Sequence, residues 1–248
     1  MNTVPVLTEK NVLKLGNSLK KRIRTRYLET GLPFVTLKFA QTLDGKIATT
    51  SSDSKWISSP ASLEFTHRLR SIHDAILVGV DTIIQDDPQL TARLVKGRNP
   101  LKIIIDSRLR TPFHSRILQG RSAHSTVIAT TPLSSPRRAD RYRSCGADVW
   151  IISNDSSDRV HLPSLWRKLG QKGIRSILVE GGSETIHSFL EKRLVNHLFI
   201  FIAPKIIGKG ITGLDISILR RFKNTNLLSH SDLFQSGDDI LLSLPVHK

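Results

Sequence analysis

The sequence predicts an α/β fold, a mostly parallel central sheet with helices on both faces, and three observations predict it. Short runs rich in isoleucine, valine and leucine recur along the chain, as in strands buried on both sides. Segments with apolar residues at steps of three and four lie between them, the arrangement of helices packed on a sheet. The chain has 248 residues, enough for a sizeable core.

The elements follow in order. In residues 1–32, Lys10, Lys14, Lys20, Lys21, Arg22, Arg24 and Arg26 are seven cations with no acid between them. Val12, Leu15, Leu19, Ile23 and Tyr27 recur at helical spacing, so the segment reads as a basic amphipathic helix ending near Gly31-Leu32-Pro33. The plain reading is a helix packed on the domain with a solvated charged face; a targeting peptide and a nucleic-acid arm share the pattern. We take 1–32 as a basic N-terminal extension and 33–248 as one α/β domain.

Phe34–Ala40 alternates, with Val35, Leu37 and Phe39 on one face and Thr36 and Lys38 on the other. Ser59-Pro60 is an N-cap followed by proline at the first helical position, and Phe65, Leu69 and Ile72 continue that helix. Ala75–Val80, Leu101–Asp106, Thr126–Thr130 and Val149–Ile152 are buried-strand candidates. Pro163–Gly173 is helical, with Leu165, Trp166 and Leu169 as its stripe. Ser176–Glu180 is a strand, Ser183–Leu194 a helix, Leu198–Ala203 and Ile240–Leu244 two more strands. Pro132–Arg143 and Gly208–Ser231 read as surface loops.

Composition excludes several classes. Apolar residues make up 39% and charged residues 23%, so wholesale disorder does not fit. The one cysteine, Cys145, cannot build a disulfide framework, and the nine histidines show no zinc-ligand spacing, so no metal is expected. No run approaches the roughly 20 apolar residues of a membrane helix, and no secretory signal is visible; a cytoplasmic protein without a membrane partner is expected. The net charge of +16 suits nucleic acid and phosphorylated small molecules alike.

Four strand ends carry the chemistry, since ligands of such sheets bind outside the C-terminal ends of strands. In Val179-Glu180-Gly181-Gly182-Ser183-Glu184-Thr185 a strand runs into two glycines and a helix starts at once. That is either a phosphate cradle or a tight capped turn. Asp106-Ser107-Arg108-Leu109-Arg110 offers a hydroxyl and two guanidiniums to a phosphate monoester, or a capped turn with exposed arginines. Asp86-Asp87-Pro88 is a turn, and Arg93 after it, with Arg70 on the preceding helix, suggests a second anion pocket. Lys38 is either an edge charge or a buried ammonium, and Asp44-Gly45 is a turn before it is a proton donor. Phosphate-loop and nucleophile-elbow patterns are absent.

Taken together, residues 33–48, Ser54-Lys55-Trp56-Ile57-Ser58, Leu69-Arg70, 78–93, 99–110, 177–183 and 201–208 resemble the reductase domain of riboflavin biosynthesis, a dihydrofolate-reductase-like fold. The resemblance spans about residues 33 to 244, in the family's order. It implies NADPH-dependent reduction of a ribosylamino-pyrimidine 5′-phosphate to its ribityl form, and a homodimer. It also implies that Ala40, Trp56, Thr82, Asp86, Ser107, Arg108 and Gly181, with Gly182, Ser183, Glu184 and Thr185 in the 182–187 turn, line the cofactor. Ser54, Arg70, Leu90, Arg93 and Glu180 would touch the substrate. Lys38 and Glu180 are expected to position the sugar and manage its protons, and Asp44 to shape the loop over the nicotinamide.

The zinc-deaminase pattern that many members carry in a fused half is not among these residues, so a stand-alone reductase, or one that has lost that half, is expected. Stand-alone members often reduce the diamino-pyrimidinone and fused ones the amino-uracil. The alternatives are a paralogous pterin or pyrimidine reductase and, less well supported, a nucleic-acid binder using residues 10–26. Removing residues 1–32 is expected to leave a reductase its turnover and to cost a binder its affinity.

Overall fold

The structure is a computed structural model that describes residues 4–51, 57–214 and 232–246. It is built on a nine-stranded sheet in the order β10-β11-β8-β1-β7-β3-β4-β5-β6. The strands are β1 (Phe34–Thr42), β3 (Ala75–Gly79), β4 (Leu101–Ile105), β5 (Thr126–Thr130), β6 (Asp148–Ile151), β7 (Ser176–Val179), β8 (His197–Ala203), β10 (Asp232–Ser236) and β11 (Asp239–Pro245). From β8 to β6 every pairing is parallel; β11 runs antiparallel to β8, and β10 to β11. A separate two-stranded ribbon joins β2 (Lys46–Thr49) to β9 (Gly210–Thr212).

Helices cover both faces, as the buried strand composition demands. On one face, Val35, Leu37, Ile177 and Val179 pack against Leu165, Trp166 and Leu169 of α5 (Leu162–Gln171) and Ile186 and Phe189 of α6 (Ser183–Glu191). The opposite face carries α1 (Glu9–Thr30), α2 (Pro60–Ile72) and, further along, α4 (Pro136–Ser144). The Ser59 side chain caps α2 by accepting from the Ser62 N–H, as the serine–proline pair predicts.

The basic N-terminal helix is not a free arm. Leu19 and Ile23 are buried in one cluster with Phe34, Phe65, Leu69, Phe199 and Phe201. Arg22 reaches His197 Nδ1 at 2.5 Å and the Asn196 carbonyl at 3.0 Å, with its guanidinium over the Phe34 ring. Among the described residues no helix is long and apolar enough to cross a membrane.

Three local expectations are corrected. Pro132–Arg143 is not a loop: Ser135 accepts from the Arg138 N–H, Pro136 sits in the first turn, and Ala139 and Tyr142 anchor α4 in the core. Its four arginines mask an apolar face only two residues wide. Val80, expected to end a strand over Ala75–Val80, instead starts the short helix α3 (Val80–Asp86), the strand stopping at Gly79. Gly208–Ser231 is not all loop, because β9 occupies 210–212; its remainder from 215 lies outside the described residues.

Candidate functional site

The order of the strands makes the site. The chain leaves β1, lays down β3 to β6 on one side, and returns to place β7 between β1 and β3 and β8 beyond β1. Segments leaving the C-terminal ends of these strands therefore diverge, the point at which open α/β sheets hold ligands. A cleft of about 650 Å³ opens there, walled by Lys38 and Ala40 of β1, Arg70 of α2, Thr82 and Asp86 of α3, and Glu180 after β7.

Its inner end is a buried cluster of charges. Arg70 grips Glu180 with two hydrogen bonds, Nε to Oε1 and Nη2 to Oε2, each 2.8 Å. Both side chains are close to nine-tenths buried, at 12% and 13% exposure. Burial pushes the Glu180 carboxyl up, but Arg70, by its charge and its hydrogen bonds, together with Lys38, outweighs this and holds it below the usual carboxylate range. Lys38 shares the sheet face of Glu180, nearly buried, with its ammonium 5.2 Å from the centre of the Phe201 ring. Desolvation lowers its pKa, with Glu180 and Asp239 pulling it back and Arg70 adding to the fall. The central position of β1 settles the two readings of Lys38: it is the buried ammonium and not an edge charge.

The double glycine forms the middle of the cleft. Gly181 has φ +156°, and a Cβ on Gly182 would meet nothing within 4 Å, so backbone there is open to a ligand. Ser183 starts α6 directly, and its unpaired N–H groups and dipole favour negative charge. A second cleft of about 620 Å³ shares Asp81, Thr82, Gly182 and Glu184 with the first and continues to Thr185, Ser107 and Arg108. Three ion pairs stand in its wall: Arg108–Asp158 at 3.2 Å, Arg110–Asp81 at 2.7 Å and Arg159–Glu184 at 2.6 Å. Ser107 is already engaged, its hydroxyl accepting from the Val160 N–H at 3.0 Å.

Most of the sequence-predicted residues thus meet in one continuous groove. Leu90, buried and held at φ +53°, and Ser183 also line its first half. Ser54 and Trp56 lie outside the described residues. Two residues are not among those that line this cleft. Asp44 does not line the cleft: its carboxylate accepts from the Thr42 hydroxyl at 2.5 Å and from the Gly208 N–H at 2.7 Å, which holds it below the ordinary aspartate range. Arg93 is exposed and makes no ion pair among the described residues, and its loop meets the cleft wall through Leu90. Three Arg70 donors are taken by Glu180 and the Thr91 carbonyl, so Arg70 is not an unengaged partner for Arg93.

Sequence reasoning missed His67. It is 3% exposed, one helical turn before Arg70, and feels the charges of Arg70, Arg93, Glu180 and Lys38. Burial and those cations, opposed only by Glu180, lower its pKa to about 4. The three-residue spacing to Arg70 was the available signal. The ion-pair partners Asp81 and Asp158 left none, being far from their arginines in sequence.

Comparison with known proteins agrees with this geometry. Residues 33–232 match the family described as the RibD C-terminal domain. The riboflavin biosynthesis protein RibD of Actinobacillus pleuropneumoniae is 36% identical over 230 residues, 89% of this chain and 58% of that protein. The chain thus spans less than two thirds of the RibD proteins it matches. A 2,5-diamino-6-ribosylamino-4(3H)-pyrimidinone 5′-phosphate reductase of Methanothermobacter thermautotrophicus is 39% identical over 179 residues, 71% of this chain and 80% of that one. Among solved structures, RibD of Acinetobacter baumannii superposes with a TM-score of 0.74 at 26% identity, covering 90% of this chain and 60% of the other. The riboflavin biosynthesis reductase Rib7 of Saccharomyces cerevisiae gives 0.67 at 25%, covering 88% and 91%. With that match over most of its length, the chain belongs to the RibD C-terminal domain family.

Proposed function

We propose that this chain reduces the ribosyl group of a ribosylamino-pyrimidine 5′-phosphate to its ribityl form with NADPH, as a cytoplasmic homodimer. The observation that carries the reading is the joining, in one groove, of the buried Lys38–Arg70–Glu180 cluster to the open double glycine at the start of α6. The named activity of the archaeal relative supports the substrate class.

The residues present fit a dinucleotide phosphate. Gly181, Gly182 and the first turn of α6 suit a pyrophosphate, and Ser107 and Arg108 with Arg110 suit a further phosphate at the far end. NADPH supplies the hydride when bound. The chain's own work is at the sugar. A ribosylamine opens by breaking the bond between C1′ and the ring oxygen, as the nitrogen lone pair forms a protonated imine that keeps its N–H, and the oxygen takes a proton. Lys38 is placed to give that proton, and a lowered pKa makes its ammonium a stronger acid. Glu180, kept ionised by Arg70, accepts from sugar hydroxyls and orients them. Asp44 ties the 207–208 loop to β1 as a positioning residue. Ser54, Leu90 and Arg93 complete the substrate contacts, and Ala40, Trp56, Thr82, Asp86 and residues 183–185 those of the cofactor.

The test is loss of NADPH absorbance with purified protein, offered the diamino-pyrimidinone and the amino-uracil ribosylamino 5′-phosphates in parallel, with light scattering for the dimer. Turnover of either fixes the reaction and its place before or after deamination. NADPH binding without turnover of either would transfer the reading to a paralogous pterin or pyrimidine reductase. Folded protein that does not bind NADPH would overturn it.

A further inference from the structure

The segment between Leu90 and Asn99 is held in shape by Arg70 and by two side chains, His67 and Asn99, that the proposed reaction does not use. The Ala92 N–H donates to Asn99 Oδ1 at 2.9 Å, stapling the two ends of the loop together. The Val95 N–H closes a turn on the Ala92 carbonyl at 3.2 Å. Helix α2 grips the same loop at two points: Arg70 Nη1 donates to the Thr91 carbonyl at 3.1 Å, and the Leu94 N–H donates to His67 Nδ1 at 3.4 Å. Gly97, at φ +156°, lies so near α2 that a Cβ there would stand 2.7 Å from Ser71 Cβ. Arg93 sits between the two gripped residues, exposed and without an ion pair among the described residues.

A cation held this way differs from an ordinary surface arginine. Its backbone is fixed on both sides before any ligand arrives, so little loop entropy is lost when an anion binds. The same helix carries Arg70, which fixes Glu180 in the cleft. The distance between the anion site and the sugar-binding carboxylate is therefore set through one rigid element.

We infer that His67 and Asn99 are positioning residues that preform the Arg93 loop as the recognition element for the phosphate end of the substrate. This rests on the reading of the chain as a reductase of a ribosyl 5′-phosphate. His67 accepts the Leu94 N–H only as neutral imidazole, the state that its burial and neighbouring cations impose. Arg93 then meets the phosphate with no exchange of partners, which Arg70, already committed to Glu180, does not offer.

Four variants and two ligands test this. Ribose 5-phosphate and ribose are titrated into the full chain by calorimetry, and KM and kcat are measured with the ribosylamino 5′-phosphate that the protein turns over. His67→Leu, which removes the acceptor, should raise KM and the ribose 5-phosphate dissociation constant about tenfold, with a much smaller change in kcat. His67→Gln, which keeps an acceptor oxygen, should restore most of the loss. Asn99→Ala, a milder loop variant for the case that His67→Leu fails to fold, should move the same two constants in the same direction. Ribose binding should be the same in all. Equal binding of ribose 5-phosphate by His67→Leu, Asn99→Ala and the parent would overturn the positioning role, as would a fall in kcat with KM fixed. Arg93→Ala separates the two levels: if it leaves ribose 5-phosphate binding unchanged, the phosphate assignment itself fails.

Discussion

The two ends of the groove use the same chemistry, arginine paired with carboxylate, in opposite settings. At the inner end Arg70 and Glu180 are only 12% and 13% exposed, joined by two hydrogen bonds and flanked by Lys38. Along the outer cleft the partners of Arg108–Asp158, Arg110–Asp81 and Arg159–Glu184 are all more than half exposed. A buried pair costs several kcal/mol when one partner is removed, because the other is left charged and unsolvated, whereas an exposed pair contributes about 0–1 kcal/mol and is screened by salt. The inner end is thus fixed and the outer end exchangeable. That division suits the proposed reaction, in which a reacting sugar is held still while a cofactor is released every cycle.

If the inner end is fixed by what packs beneath it, loss of α1 should have the largest effect. Leu19 and Ile23 share a cluster with Phe199 and Phe201, and Phe201 carries Lys38 on its ring. Deleting residues 1–32 should therefore abolish stable folding, contrary to the sequence-level expectation that turnover would survive. Each buried leucine or isoleucine lost is worth about 2–5 kcal/mol. Thermal denaturation checks it, with Leu19→Ala as the gentler variant, about 2–4 kcal/mol less stable. A truncated chain that melts like the parent would show that the inner end needs no such backing.

Next in size is Glu180→Gln, which leaves Arg70 and Lys38 without their counter-charge. Stability in urea should fall by about 3–5 kcal/mol, and turnover by about 10²–10⁴ with NADPH binding retained. Lys38 gives the same end a pH signature. If Lys38 is the proposed proton donor, it acts in the ammonium form, so kcat should decline as pH rises through its folded-state pKa, which burial holds below the ordinary lysine value.

Acid should also reveal the difference. His73 lies beneath β1, with its ring nitrogens against the Leu69 carbonyl and the Thr36 hydroxyl at 2.7 Å each, and burial lowers its pKa to about 4. His197, facing Arg22 and Ser243, is lowered by burial, and further by Arg22, to about 3. Both are neutral when folded and near 6.5 when unfolded, so the unfolded chain binds more protons between those values. Stability is fully present above about pH 6.5 and falls as pH drops towards 4, by on the order of 3 kcal/mol for His73. Urea unfolding at pH 7, 6 and 5 measures the slope, and His73→Gln should flatten it.

How much of this was legible depended on range. The strand runs read at 75–80 and 126–130 and the cap at Ser59-Pro60 are local signals, and the structure follows them to within one residue. So is the turn at Gly181-Gly182. The grip of Arg70 on Glu180 is not local, because 110 residues separate them and only the insertion of β7 between β1 and β3 brings them together. Sequence reasoning paired Arg70 with Arg93 because both are cations near an anion site; it had no means of seeing that most of Arg70's donors were taken. Helix α4 was missed for a different reason: arginines dominate its composition, and two buried residues, Ala139 and Tyr142, are too few to produce a visible period.

The smallest expected effect is at the outer end, and its smallness is what makes it informative. Asp158→Asn removes the partner of Arg108 on a surface where both side chains are more than half exposed. Stability should change by less than about 1 kcal/mol. If Asp158 merely occupies Arg108 until a phosphate displaces it, freeing the guanidinium removes a competitor, and NADPH should bind a few-fold tighter at low salt. NADH, lacking the extra phosphate, should gain nothing. The gain should vanish as ionic strength shortens the Debye length to below about 8 Å. Fluorescence titration of both nucleotides at two salt concentrations reads all three outcomes. A loss of NADPH affinity instead would mean that Asp158 holds Arg108 in place for the ligand, and that the outer end is as fixed as the inner one.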